Sequence, residues 1–107
     1  MSGDLTTLLF SINQHSGPIR LRLYIVSGMP NSILAIRNWK AITENYLKRQ
    51  VETEIVDALE DPERLLADGI LVTPMLVRLD PEPVIRIAGD LSHYEKVVQT
   101  LGLEEWL

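Results

Sequence analysis

The strongest constraint on the fold is a junction. The run 19-IRLRLYIV-26 passes through 27-SGMPNS-32 into apolar residues at helical spacing. The run alternates at first and is then wholly apolar, the pattern of a strand entering the middle of a sheet. Gly28 gives the turn its backbone freedom. Pro30 suits the first turn of a helix, where Asn31 and Ser32 can accept from orphan amides. Ile33, Ile36, Trp39, Ile42, Tyr46 and Leu47 then mark one helix face to about Arg49. Strand, tight turn and helix in this order commit the chain to an α/β plan.

The next elements extend that plan. VETEIVDAL, from Val51, reads as a second strand. Asp61-Pro62 opens a short helix that Gly69 stops. ILVTPMLVRL, from Ile70, carries Pro74 at its middle, which predicts two short elements or a strand with a special peptide bond. Val84 to Ala88 follows the stiff 80-DPEP-83 as another strand. Gly89-Asp90 makes a tight turn with a carboxylate near a helix start. Ser92 with Glu95 predicts a capping box for a last helix with Val97, Val98 and Leu101 inside and Gly102 at its end. The order βαβαββα is thioredoxin-like, and Thr73-Pro74 falls where that fold places a cis proline.

A thioredoxin keeps its reactive cysteine pair at such a strand-to-helix turn, and this chain has no cysteine. Disulfides, thiolate zinc sites, iron-sulfur clusters and dithiol exchange are thereby excluded. With 107 residues, 46% of them apolar, the chain fits one domain held by packing alone. Fifteen acidic against ten basic residues, with no basic stripe, argue against nucleic acid. Residues 1–18 have no positive n-region and only a short apolar patch. They read as a loosely held extension, with no signal peptide or membrane span, and the expected location is cytoplasmic.

The polar residues do not assemble into a recognisable catalytic pattern. His15 and His93 lack a third metal ligand, and Ser27 and Ser32 lack a histidine at nucleophile spacing. Asp57, Asp61 and Asp68 fit caps and solvated loops. Trp39 lies on the first helix's apolar stripe, and Trp106 near the end is free to pack against a neighbouring subunit. No cofactor or metal is expected.

The stretches 24-YIVSGMPNS-32, 70-ILVTPML-76 and 84-VIRIAGDLSHYEKV-97 resemble the circadian clock KaiB family, whose pattern runs LYVAGxTPNS, ILATPTL and VRRIIGDLSxxEKV. The resemblance covers Ile19 to about Glu105 without a gap and makes 19–107 the domain. It implies a non-enzymatic regulator that binds a KaiC-type ATPase ring, competes there with the sensor domain of the kinase SasA, and self-associates as a dimer or tetramer. It also implies two folds: a thioredoxin-like monomer, and a tetramer whose second half is arranged as ββααβ (βαββααβ in all). The well-marked ends of the short middle helix favour the first.

The departures from the family concern basic residues. Its basic residue in the first helix falls at Leu34, its second-strand lysine at Glu54, the lysine before ILATP at Gly69 and the first arginine of VRRI at Ile85. Arg86 is retained. Arg86, Asp90, Glu54 and Gly69 are therefore the candidate partner contacts. Gly28, Pro30, Asn31, Pro74 and Gly89 are candidate fold determinants, together with Thr100 and Gly102, which replace a glycine and an aspartate that help set the family's fold balance. A divergent partner, or an adaptor role in stress or two-component signalling, is the alternative.

Overall fold

Residues 18–45 and 50–102 are described in the computed structural model. They form β1 (Ile19–Ile25), α1 (Pro30–Asn45), β2 (Val51–Asp57), α2 (Pro62–Ala67), β3 (Met75–Asp80), β4 (Ile85–Ala88) and α3 (Tyr94–Thr100). This is the βαβαββα order, and the second half is not arranged as ββααβ. The extension before Pro18, the end of α1 near Arg49, and Trp106 lie outside the described residues.

The four strands make one sheet in the order β2-β1-β3-β4. β1 and β2 pair in parallel, Ile19 opposite Val51 through Ile25 opposite Asp57, so a crossover must join them, and α1 lies in it. β3 returns antiparallel to β1, with a register shift at Arg20/Leu21, and β4 returns antiparallel to β3. β1 is thus the central strand that its apolar run predicts.

Alternation along β1 divides the core. Ile19, Leu21, Leu23 and Ile25 point to one face, where Ala35, Trp39 and Ile42 of α1 and Val97, Val98 and Leu101 of the α3 segment cover them. Tyr24 points to the other face and packs with Val56, Leu65, Ile70 and Val77 under α2. The α1 seam differs from the predicted stripe. Ser32, Ala35, Trp39 and Ile42 are buried, whereas Ile33 is half exposed. Small residues at the helix start let it approach the sheet, and the Ser32 hydroxyl accepts the Val26 amide at 2.9 Å rather than capping the helix.

The connection before β3 keeps the expected cis proline, and those before β4 and α3 depart from their predicted form. The peptide Thr73-Pro74 is cis, and Pro74 is buried immediately before β3, so Ile70 to Thr73 is a connection and not a strand. Asp80-Pro81 and Glu82-Pro83 are also cis, and β4 begins at Ile85. The capping box at Ser92 does not form. The Ser92 amide donates to the Asp90 carboxylate at 3.0 Å, and α3 starts after His93 with no side-chain cap. A local Asx turn has taken the donor that a cap would need. Asp61 likewise occupies the N-cap position of α2 without a side-chain hydrogen bond.

Candidate functional site

The face of the sheet under α2 carries most of the candidate partner contacts. Arg22 and Tyr24 of β1 and Glu54 of β2 share it, because each strand sends alternate side chains there. The Arg22 Nε donates to the Glu54 carboxylate at 2.8 Å, and Arg64 of α2 grips the same carboxylate with two nitrogens at 2.8 and 2.6 Å. Arg22 also donates to the Tyr24 hydroxyl at 3.2 Å, and that hydroxyl donates to Asp68 at 2.6 Å. Five side chains from β1, β2 and the α2 segment are thus tied together. Arg64 first, and Arg22 second, hold the Glu54 carboxyl down at about 2. Burial raises the Tyr24 hydroxyl, so it remains a donor.

Gly69 and Arg86 meet at the far end of α2. Gly69 takes φ +69°, the left-handed stop expected of it. The Arg86 guanidinium, reaching across from β4, donates to the Gly69 and Asp68 carbonyls at 3.2 and 3.1 Å. A cation there satisfies carbonyls that a helix end leaves without partners. Glu54, Gly69 and Arg86 therefore fall on one surface, with α2 between them.

Asp90 lies elsewhere, in the turn between β4 and α3. The Ser92 hydroxyl and amide lower its carboxyl, and its carbonyl accepts the Asn38 amide at 2.7 Å, tying the turn to α1. Gly89 precedes it at φ +109°, and Leu91, though not glycine, follows at φ 62°. A groove of about 580 Å3 runs between β4 and α3, lined by Arg86, Asp90, His93, Lys96 and Thr100 among others. Arg86 borders both surfaces.

The remaining fold candidates take structural positions. Gly28 adopts φ +84° in the turn before α1, where Pro30 and Asn31 open the helix, and Met29 stands 54% exposed. The Asp57 carboxylate accepts the Ser27 and Leu59 amides at 3.1 and 3.0 Å and so joins the ends of β1 and β2. Gly102 ends the α3 segment at φ +69°, and Thr100 is exposed.

Sequence reading overlooked Arg22, Tyr24 and Arg64, and assigned Asp68 to a solvated loop. The signal was available in the matched two-residue spacing of Arg20 and Arg22 in β1 with Glu52 and Glu54 in β2, which the parallel register places side by side. Arg78 was also missed. It is buried at 6% exposure and donates to the Leu101 carbonyl and, at 2.9 Å, to that of Pro83, while its Nε has no partner among the described residues. Burial lowers its pKa. No helix among the described residues is long and apolar enough to cross a membrane.

A β2-β1-β3-β4 sheet with a cis proline before β3, and a strand-to-helix turn without thiols, defines a thioredoxin-fold protein without a dithiol centre. Solved structures agree on the fold. Fasciola hepatica thioredoxin aligns at TM-score 0.64 with 18% identity, covering 94% of this chain and 91% of its own. The N-terminal domain of Synechococcus elongatus SasA aligns at 0.61 with 19% identity, over 84% and 89%. The KaiB domain family matches residues 22–103, and the chain belongs to that family. It is 42% identical over 83 residues to the circadian clock oscillator protein KaiB of Prochlorococcus marinus, covering 78% of each chain.

Proposed function

We propose that this protein is a clock-type regulator, without catalytic activity of its own, that works in the cytoplasm through residues 19–107 by binding a KaiC-type ATPase ring. The observation that carries this reading is the family match across residues 22–103 on a thioredoxin-like fold. The contact surface is centred on α2, with Arg86, Gly69 and Glu54 around it, and Asp90 is a separate candidate contact in the β4–α3 turn. Self-association accompanies this role.

The chemistry of the surface favours a divergent ring. Where family members carry a second-strand lysine, Glu54 is held between two arginines, and Gly69 adds no charge where a lysine would stand. A partner matched to a basic surface meets a different field here, and like charges suppress wrong partners. The same observation supports the second reading, an adaptor in stress or two-component signalling.

The test is to mix the protein with the KaiC-type ATPase of the same organism in the presence of ATP and follow co-elution for several hours. A complex that Arg86→Glu weakens supports ring binding through this surface. Absence of a complex, under conditions in which cyanobacterial KaiB binds its own ring, refutes it and leaves the adaptor reading.

A further inference from the structure

The outer edge of β2 is open among the described residues, and the hydrogen bonds on its inner side decide which groups it offers. The Ile19 amide donates to the Gln50 carbonyl, and the Ala58 amide to the Ile25 carbonyl. Bonding groups alternate in direction along a strand, so the even-numbered residues of β2 turn theirs towards β1. The amides and carbonyls of Val51, Thr53 and Ile55 therefore point outward, where no strand among the described residues receives them. The side chains of the same three residues face α1. With Leu23, Ile36 and Trp39 they line a groove of about 310 Å3 beside the edge. The Trp39 Nε1 donates to the Thr53 hydroxyl at 2.8 Å and fixes the floor, while Ile55 is left 51% exposed.

One segment of the chain has both the pattern and the reach to fill this groove. The stretch 5-LTTLLFSI-12 carries Leu8, Phe10 and Ile12 at alternate positions and contains no charged residue. The chain enters β1 at Ile19, opposite Val51, at the end of the sheet where β2 also begins. A strand added outside β2 would lie two strand spacings from β1, about 10 Å. The six residues between Ile12 and Ile19 span about 20 Å when extended, so they cross that gap if the new strand runs antiparallel to β2. A parallel run would have to retrace the edge over a face already covered by a helix. With Ile12 opposite Val51, Phe10 falls opposite Thr53 and Leu8 opposite Ile55. Opposite residues share a face, so all three apolar side chains enter the groove. Thr7, Leu9 and Ser11 then fall on the α2 face beside Glu52 and Glu54, and none of them brings a like charge. The groove beside β4 suits the segment less, because Arg86, Asp90, His93 and Lys96 line it.

We propose that residues 5–12 add to the outer edge of β2 as a fifth strand, antiparallel to it, with Leu8, Phe10 and Ile12 seated in the groove beside α1. The segment is then a strap built into the chain. It removes an open template for strand addition and hides Ile55. A partner approaching the sheet from the β2 side must displace it first. The inference does not depend on which partner the protein binds.

Amide exchange of the full chain, followed residue by residue by NMR, tests it. The Thr53 and Ile55 amides have no acceptor within the four-stranded sheet, so the strap should slow their exchange roughly tenfold or more. Phe10→Asp puts a carboxylate into the groove and should return both amides to fast exchange, whereas Phe10→Leu should keep the protection. The Leu23 amide, inside the sheet, reports that both variants remain folded. Fast exchange of Thr53 and Ile55 in the wild type overturns the proposal, and so does protection that Phe10→Asp leaves unchanged. Protection that grows with protein concentration overturns it too, since the strand would then come from a second copy.

Discussion

At the scale of single residues, backbone geometry and buried charge decide which positions resist change. Gly28 and Gly102 both occupy the left-handed region, yet their surroundings differ. A Cβ on Gly28 meets nothing within 4 Å, whereas one on Gly102 meets the Arg78 Nη1 at 3.4 Å. Gly28→Ala is expected to lose about 1 kcal/mol, the conformational penalty alone. Gly102→Ala should lose at least as much, since the added methyl also comes into contact with a guanidinium that holds the end of α3. Denaturant titration of both variants measures the difference. Arg78→Lys should lose roughly 1 to 2 kcal/mol in the same assay, because one ammonium cannot replace a fork that serves two carbonyls. The partners of Arg78 are two carbonyls, so hydrogen-bond geometry rather than an ion pair holds this arginine in place.

At the scale of elements, α2 depends on its neighbours. It has six residues, too few to persist by propensity, and only Leu65 within it is buried. The network of Arg64, Glu54, Arg22, Tyr24 and Asp68 supplements that small apolar contact. Glu54 is lowered on folding, so its contribution is present above its ordinary value of 4.5 and is lost as pH falls towards about 2. Acid titration of Glu54→Gln should therefore show a smaller loss of stability across that window than the wild type. Partial exposure of the carboxylate keeps the difference modest. Tyr24→Phe should lose about 0.5 to 1.5 kcal/mol. Amide exchange should show α2 opening more readily in both variants while β1 and β3 stay protected. The order and type of every element were legible from alternation, helical spacing and glycine or proline punctuation. The helix starts were less so, because Ser32 and Ser92 had competing hydrogen bonds nearby that a linear motif does not reveal. The α2 network was hidden for a related reason: its members are distant in sequence, and only the strand register brings them together.

At the scale of the whole molecule, two apolar clusters share one sheet, with β1 contributing to both. Neither face can lose its cover without exposing the strand beneath, so unfolding should be a single cooperative event. Midpoints from far-ultraviolet circular dichroism and from tryptophan fluorescence should coincide, and separate transitions would show that the faces melt independently. Fold class was readable from sequence at this scale. Family membership was readable from three short motifs, while the open groove beside β2 needed strand order and register. The turn after β1 also has a practical value. Since the chain contains no cysteine, Met29→Cys would create its sole thiol at an exposed site beside the start of α1. One dye attached there would report from a known position, without background labelling, on whatever partner approaches that end of the sheet.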